Sequence, residues 1–253
     1  MTIRFRDVLC AGSLAIATIA LPACDDVDAS EMDGGEDDDR WVWESAEACG
    51  FTDLITKNNF SANEPHWAKD LVCFLKNRGV VTGSNGKFRP DDYLTRAEFA
   101  VMLTKAVWPK AKPQCKTNGF PDVTDASYGW AKNAISQVAN GCFMRGYKDG
   151  TFKPGGKVTR LEVMVAIANG LGLTGGDVKE LDASFPDAHQ VPTWARQAAA
   201  NALEWLIVPK PYDDPYLDPV AAATRAEVAH ALFKTMTIFC SAPEHEAKCL
   251  PAI

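Results

Sequence analysis

The chain has 253 residues, of which 47% are hydrophobic and 23% are charged, a composition typical of a folded globular protein rather than a disordered one. Its net charge of −7 belongs to one segment, since residues 25–39 hold nine acidic and no basic side chains, whereas the 23 acidic and 23 basic residues from Trp41 onward balance. Because no domain-wide basic excess is present to neutralise phosphates, we expect no nucleic-acid partner.

Residues 1–23 are typical of a bacterial export signal peptide. Arg4 and Arg6 precede an apolar run at residues 8–21, which is short for a membrane span of about 20 apolar residues. The run ends in Leu-Pro-Ala-Cys (21–24), which resembles the lipobox of bacterial lipoproteins and implies lipidation of Cys24; simple cleavage after a small residue is the alternative. Residues 24–48 lack the spacing of a calcium loop and are predicted to be a disordered acidic linker.

Six cysteines remain once Cys10 and Cys24 are set aside as parts of the signal. An even number in an exported chain predicts up to three disulfides. Cys240 and Cys249 are expected to pair because they are close in sequence, and the other four allow three connectivities: Cys49, Cys73, Cys115 and Cys142. No CxxC motif or Cys/His cluster of zinc type occurs, so we expect no metal and no cofactor.

One pattern occurs three times along the chain. Thr-Arg-x-Glu begins at Thr95, Thr159 and Thr224, at intervals of 64 and 65 residues. A Trp-Ala pair and a Phe-x-Asp motif precede it each time, and a turn-rich loop lies between Trp-Ala and Thr-Arg. The Phe-x-Asp motifs span residues 51–53, 120–122 and 185–187, and the Trp-Ala pairs begin at residues 67, 130 and 194.

The apolar residues of each repeat follow helical spacing, which predicts a helix, a loop and a second helix. In the middle repeat the first helix places Trp130, Ile135 and Val138 on one face, and the second places Val163, Ile167 and Leu171 on another. Trp67 and Trp194 occupy the position of Trp130. Helical spacing with apolar partners favours core positions for all three tryptophans, and stacking on sugar rings is the alternative. Two such helices cannot bury their apolar faces alone, so the repeats are expected to pack on one another.

Phe-x-Asp-Val, Trp-Ala, Gly-Tyr-x-Asp-Gly-Thr-Phe-x-Pro and Thr-Arg-x-Glu, in this order, resemble the S-layer homology domain. The resemblance places three repeats at residues 49–110, 118–174 and 183–240, followed by a tail at 241–253. The middle repeat is nearest to the pattern, although Leu161 replaces the usual alanine. The resemblance implies a mostly α fold of three tandem helix-loop-helix repeats in a pseudo-threefold bundle, which docks non-covalently onto cell-wall polysaccharide or peptidoglycan.

Thr-x-x-Glu before an apolar run is a capping box, in which the threonine hydroxyl and the glutamate carboxylate satisfy amides at a helix start. We expect this role for Thr95/Glu98, Thr159/Glu162 and Thr224/Glu227. The boxes leave the intervening arginines unexplained, because a cation at a helix start opposes the helix dipole. These arginines are Arg96, Arg160 and Arg225.

Two interpretations of the arginines stay open. In one, each pairs with a carboxylate of its own repeat, such as that of Phe-x-Asp. In the other, favoured by the resemblance, each arginine and the free amides of its helix start bind an acidic wall sugar. Residues 41–175 carry 17 basic and 12 acidic residues, against 6 and 11 in residues 176–253. We therefore expect Arg96 and Arg160 to bind ligand and Arg225 to be mainly architectural.

Further candidates lie in the motifs and the loops. Asp53, Asp122 and Asp187 are expected to cap the turn before the first helix or to bond a sugar hydroxyl. Tyr147, Lys148 and Gly150 belong to the loop of the middle repeat and are candidates for ligand contact. A second set is expected to fill the core, each member standing two residues before a proline: Phe88, Phe152 and Leu217.

No GxSxG, HExxH or P-loop motif occurs, and the four histidines fall at unrelated positions, so we expect no catalytic activity. The sequence thus predicts a non-catalytic lipoprotein of the bacterial cell envelope, anchored to a membrane through Cys24 and facing the cell wall. The alternative is an envelope scaffold whose sugar sites have decayed and whose repeats bind a protein partner or one another.

Overall fold

The computed structural model of this chain describes residues 49–54, 65–209 and 215–240. The signal peptide, Cys24, the rest of the linker up to residue 48 and the tail at residues 241–253 lie outside the described residues. The predictions made for those segments therefore remain predictions.

The described residues form seven α-helices and no strand, which confirms the mostly α fold. The helices are α1 (Lys69–Asn77), α2 (Arg96–Val107), α3 (Asp125–Asn140), α4 (Arg160–Leu171), α5 (Val178–Ser184), α6 (Arg196–Glu204) and α7 (Arg225–Cys240). Short 3-10 turns occur at Thr52–Leu54, Pro113–Cys115 and Ala188–Gln190. None of the helices in this part of the chain is both long and apolar enough to span a membrane.

Six of the helices form three pairs in chain order, α1/α2, α3/α4 and α6/α7. The first helix of each pair packs on the second helix of the preceding pair, so α3 lies on α2, α6 lies on α4, and α1 closes the ring on α7. Helix α7 also contacts α2 and α4. Each pair therefore buries its apolar surface against a neighbouring pair, as expected for two-helix units that are too small to hold a core alone.

A cycle of three backbone hydrogen bonds joins the pairs just before their second helices. The amide of Leu94 donates to the carbonyl of Ala223 (3.1 Å), that of Val158 to Leu94 (3.0 Å) and that of Ala223 to Val158 (2.8 Å). All three side chains are fully buried. These bonds fix the three helix starts around one pseudo-threefold centre.

Each second helix begins with the predicted capping box. The hydroxyl of Thr95 accepts from the amide of Glu98, and the Glu98 carboxylate accepts from the Thr95 amide at 2.9 Å. Thr159 and Glu162 form the same box at α4, and the two matching contacts join Thr224 and Glu227 at α7.

The loops between the paired helices each insert one apolar side chain into the core. Phe88, Phe152 and Leu217 are fully buried, which confirms their predicted role. Gly83 and Gly146 lie on the same loops where no side chain fits, because a Cβ atom would meet the rings of Phe51 and Phe120 at 2.3 and 2.6 Å.

Two disulfides lie in the described residues, Cys49–Cys73 and Cys115–Cys142. The first ties the segment before α1 to that helix, and the second ties the connection after α2 to the end of α3. The predicted Cys240–Cys249 pair lies outside the description, which excludes Cys249 and the side chain of Cys240.

Candidate functional site

Each arginine of the Thr-Arg-x-Glu motif reaches across to the next helix pair. Arg96 is 4% exposed; its guanidinium donates to Glu162 at 2.8 Å and to the carbonyls of Phe152 and Arg145 at 2.8 and 3.0 Å. It therefore binds both the loop of the second pair and the glutamate that starts α4. We call the contact region around each arginine a junction, named by that arginine.

The Arg160 junction has the same design. The guanidinium of Arg160 donates to Glu227 at 2.6 Å, to Asp218 at 3.1 Å and to the carbonyl of Leu217 at 3.2 Å. The capping-box glutamate thus has a second function, because it supplies the counter-charge for the arginine of the preceding pair. One interpretation of the sequence named the aspartate of Phe-x-Asp as the partner of each arginine. At these two junctions the partner is the capping-box glutamate of the next helix pair.

The aspartates of Phe-x-Asp bind backbone instead. Both oxygens of Asp122 accept loop amides, from Phe152 at 2.9 Å and from Lys153 at 2.7 Å. Asp53 and Asp187 make the same paired contacts in their own repeats. Loop amides take both carboxylate oxygens, so these aspartates neither pair with the arginines nor cap the turn before the first helix. Their contact with a sugar hydroxyl stays a prediction.

This contact has a conformational role. Each aspartate accepts from two successive loop amides, and the second of these belongs to a non-glycine residue at positive φ: Arg89 (59°), Lys153 (55°) and Asp218 (48°). Such residues are strained in the left-handed region, and a carboxylate that binds two successive amides compensates for the strain. The aspartates therefore hold the loops in the shape that the arginines bind.

The first amides of the second helices are also occupied. At α2, the amide of Arg96 donates to the carbonyl of Gly156 at 2.8 Å and that of Ala97 to Pro154 at 3.0 Å. At α7, the amide of Arg225 donates to the backbone carbonyl of Asp92 at 2.8 Å. The expectation of free helix-start amides for an anion was wrong, because the next pair's loop accepts these hydrogen bonds. An anion at these junctions has to be bound by side chains.

The Arg225 junction differs from the other two. Arg225 donates to the carbonyls of Phe88 (2.8 Å) and Thr82 (3.1 Å), but its closest carboxylate contact, with Glu98, is 4.0 Å long. A cavity of about 360 Å³ opens here, and we call it the Arg225 groove. Its lining includes Ser84, Arg89, Glu98, Lys105, Trp130 and Arg225.

The Arg225 groove combines positive charge with an aromatic surface. Arg89, Lys105 and Arg225 line it with the carboxylate of Glu98, Arg89 is paired with Asp92 at 3.6 Å, and Trp130 forms part of the wall. Burial lowers the pKa of Arg225, and the charge of Glu98 opposes that shift, so the arginine stays charged at neutral pH. A buried guanidinium that lacks a close counter-ion can bind a carboxylate with two parallel hydrogen bonds. The indole of Trp130 offers a flat apolar surface beside it.

The three tryptophans lie at the surface, so the prediction of core positions was wrong. Trp67, Trp130 and Trp194 are 37%, 62% and 72% exposed. The alanine that follows each is fully buried, and in α3 the buried set Ala131, Ile135 and Val138 steps by four and three. The face keeps the predicted Ile135 and Val138, but its first position is Ala131 instead of Trp130, so the indole points outward.

Of the three loop candidates of the middle repeat, Tyr147 lies at the Arg96 junction. The hydroxyl of Tyr147 donates to Glu162 at 2.8 Å, and its ring centroid lies 4.8 Å from the guanidinium carbon of Arg96. Lys148 is exposed, and Gly150 has a φ of 81° at the turn. Tyr147 is thus part of the junction, whereas nothing in the structure ties Lys148 to it.

Sequence reasoning missed most of the Arg225 groove. Ser84 and Arg89 lie in the repeated loop at positions that differ from the middle repeat, Lys105 lies outside the repeated motifs, and Trp130 was assigned to the core. A usable signal was present: Ser84 follows Gly83 where Tyr147 follows Gly146, so the first loop carries a small side chain at a position that is aromatic in the second.

Known proteins match much of this chain. Residues 61–100 and 119–164 match the family model of the S-layer homology domain. Cell surface glycoprotein 1 of Acetivibrio thermocellus is 32% identical over 134 residues, which cover 50% of this chain and 6% of that protein. Exoglucanase XynX of the same organism is 30% identical over 183 residues, covering 71% of this chain and 16% of that protein.

A cellulosome-anchoring protein of Acetivibrio thermocellus is 28% identical over 109 residues, covering 43% of this chain and 24% of that protein. This chain therefore spans less than a quarter of the length of each of these three relatives. The third helix pair repeats the contacts of the first two but falls outside the two matched segments. Residues 61–100 and 119–164 make this chain an S-layer homology domain protein.

Proposed function

We propose that this protein is a non-catalytic anchor of the bacterial cell envelope, whose Arg225 groove binds an acidic sugar of the cell-wall polysaccharide or of peptidoglycan. The observation that carries the proposal is the Arg225 junction, where the carboxylate contact lengthens to 4.0 Å and a groove of about 360 Å³ opens beside Trp130. The S-layer homology domain is a wall-binding module, and relatives named as surface and anchoring proteins agree with this role.

Charge and shape both suit an acidic saccharide. Arg89 is paired with Asp92 at 3.6 Å, so Arg225 and Lys105 are the cations of the groove that a bound acid group would meet. A sugar ring offers apolar C–H groups on one face, which pack on an indole, and hydroxyls on its edge. The volume lies within the range of about 300–1,000 Å³ that is usual for small-ligand sites.

The proposal ranks the arginines differently from the sequence expectation. Arg96 and Arg160 have carboxylates at 2.8 and 2.6 Å, so an acidic ligand would have to displace a buried ion pair at either junction. Arg225 has no carboxylate at that distance among the described residues. We therefore assign ligand binding to Arg225 and an architectural role to the other two.

The same proposal covers the rest of the chain. Residues 1–23 are the signal peptide, Cys24 carries a lipid, and residues 24–48 join that membrane anchor to three repeats. The third repeat, at residues 183–240, is supported by its capping box, its aspartate contacts and its place in the ring. The protein would then connect a membrane to the cell wall.

Sedimentation with purified cell walls tests the function. Walls are used untreated and after mild acid has removed their acidic substituents. The protein should sediment with untreated walls and stay in the supernatant with stripped walls. Equal binding to both would contradict the acidic-sugar site, and binding to neither would contradict the anchor itself.

A protein-binding scaffold is the second candidate, and one observation favours it. The third pair and its connections expose apolar side chains of large size, among them Trp194 (72%), Val220 (67%) and Leu206 (54%). Exposed aromatic and aliphatic groups of this kind are typical of protein interfaces. Failure to bind either wall preparation would leave this scaffold as the better account.

A further inference from the structure

The three junctions are built alike but do not offer the same space. Position by position, Ser84 of the first loop corresponds to Tyr147 of the second. Each follows a glycine packed under a Phe-x-Asp ring, and each donates its amide across the turn, Ser84 to Lys87 at 3.0 Å and Tyr147 to Thr151 at 2.8 Å. The first turn is one residue shorter than the second, but the residue before each glycine accepts from the junction arginine in both loops, Thr82 from Arg225 and Arg145 from Arg96, so the two side chains start from matching positions beside their junctions.

Ser84 lines the Arg225 groove, whereas Tyr147 covers its own junction. The Tyr147 ring lies between two cations, with the Arg96 guanidinium carbon at 4.8 Å and the Lys153 ammonium at 4.2 Å from its centroid. Its hydroxyl donates to Glu162, the counter-ion of Arg96. Burial and this hydrogen bond raise the pKa of Tyr147, so the ring stays neutral and remains a hydrogen-bond donor at physiological pH.

We infer that Tyr147 blocks a sugar site, and we call it the plug. Its ring occupies in the Arg96 junction the space that the sugar occupies in the Arg225 groove. The protein therefore has fewer sugar sites than repeats. The inference rests on the function proposed above. An aromatic ring with a hydroxyl donor between two cations satisfies the same groups that a sugar acid would: the guanidinium face, the ammonium and the glutamate. Trp194, 72% exposed, stands in the third repeat where Trp130 stands in the second.

The Arg160 junction also differs from the Arg225 groove. The sixth residue of α7 is His230, which is 3% exposed. The sixth residue of α2 is Val101, which lies in the wall of the Arg225 groove. Trp67 lies edge-on against His230, with ring centroids 6.1 Å apart, and is the least exposed of the three tryptophans. The tryptophan there packs on the histidine, whereas Trp130 borders an open groove.

Exchanging the two loop side chains tests the plug. In Tyr147→Ser the Arg96 junction should open, and in Ser84→Tyr the Arg225 groove should close. Tyr147→Phe is the matched control, because it keeps the ring and loses only the hydroxyl. All variants are made in the full chain.

The first readout needs no sugar. Phenylglyoxal modifies accessible arginines, and mass spectrometry gives the rate at each site. Tyr147→Ser removes the ring that covers the Arg96 guanidinium and should speed its modification by about tenfold, the factor expected for the loss of one partly buried cation–π contact. Tyr147→Phe should change it less, and Ser84→Tyr should slow modification of Arg225.

The second readout uses glucuronate as the acidic sugar probe and follows the indole N–H signals of Trp130 and Trp194 by NMR. In the wild type, Trp130 alone of the two should shift, and in Ser84→Tyr the Trp130 response should be lost. When Tyr147→Ser is combined with Glu162→Gln, which removes the carboxylate already bound to Arg96, Trp194 should shift as well. If Arg96 is unmasked but neither indole shifts, the plug stands and the proposed sugar chemistry fails. If Arg96 stays as slow in Tyr147→Ser as in the wild type, the plug is overturned. Should Tyr147→Ser not fold, an unchanged Arg225 rate and Trp130 response in Ser84→Tyr would overturn it equally.

Discussion

At the scale of single residues, each capping-box glutamate has two separable roles. It accepts the amide of its own threonine, and it faces the arginine of the preceding pair. A glutamine can keep the first role, because it also closes a capping box, but it removes the charge that the second requires. The three glutamates differ only in the second role: Glu162 and Glu227 form ion pairs at 2.8 and 2.6 Å, whereas Glu98 lies at 4.0 Å from Arg225.

Glutamine substitutions should therefore have unequal costs. Glu162→Gln leaves the buried Arg96 without its counter-charge and should lower the free energy of unfolding by about 3 kcal/mol. Glu227→Gln leaves Arg160 with the half-exposed Asp218 at 3.1 Å and should cost less than Glu162→Gln, about 2 kcal/mol. Glu98→Gln removes a longer and more exposed contact and should cost less than about 1 kcal/mol. Urea denaturation of the three variants measures the difference. Equal costs would show that the Arg225 junction is paired as tightly as the others.

The aspartate of Phe-x-Asp gives a second prediction. In Asp122→Asn the amide group replaces one acceptor oxygen by a donor, which then faces the N–H of Phe152 or Lys153. The loss of that hydrogen bond should lower the free energy of unfolding by about 1–3 kcal/mol. Asp125→Asn is the control, since Asp125 is exposed and its ion pair with Lys132 is solvated. If both variants unfold at the same urea concentration, the loop does not depend on the aspartate.

At the scale of the helices, the sequence predicted where helices begin better than it predicted which of their residues are buried. The repeated capping boxes predicted the starts of α2, α4 and α7, because a cap depends only on residues three apart. The first buried position of the first helix was assigned to Trp instead of Ala, because Trp-Ala offers two apolar residues in a row and the larger one is the more hydrophobic. In the structure the alanine is buried, because a small side chain lets the helix approach its neighbour closely.

The capping contact itself can be tested. Thr159→Ala removes the hydroxyl that accepts from the Glu162 amide at the start of α4. The expected cost is about 1 kcal/mol of unfolding free energy, the usual value of an N-cap. Thr159→Ser keeps the hydroxyl and should cost less. A loss as small in the alanine variant as in the serine variant would mean that the cap is not needed at this helix.

At the scale of the whole molecule, the ring explains why the arginine partners were not predictable. Arg96 and Glu162 are 66 residues apart and Arg160 and Glu227 are 67 apart, so each pair meets only after two helix pairs have packed. Of the two interpretations left open by the sequence, the ion-pair one placed the partner within the same repeat, and the favoured one named no carboxylate of this chain. The closing junction joins the third pair to the first, and it is the one where the ion pair is loose and a groove opens.

Charge at this junction predicts a dependence on salt. The Arg225 groove lies at the surface, and its attraction for an acidic polymer is screened as ionic strength rises, with a Debye length of about 8 Å at 0.15 M and about 3 Å at 1 M. Wall sedimentation should fall steadily between these concentrations. Binding that does not change with salt would point to apolar contacts instead of the cationic groove.

The most direct test of the central claim compares two tryptophans that occupy the same position in different repeats. Trp130 lines the Arg225 groove and Trp194 stands in the repeat that follows the plugged junction, and both are largely exposed, so replacing either with alanine should leave the fold intact. Isothermal titration with purified acidic wall polysaccharide should show that Trp130→Ala weakens binding by about tenfold, the loss of roughly 1.4 kcal/mol expected of a stacking contact. Trp194→Ala should bind as the wild type does. Equal losses in the two variants, or a loss in Trp194→Ala alone, would contradict the assignment of sugar binding to the Arg225 groove.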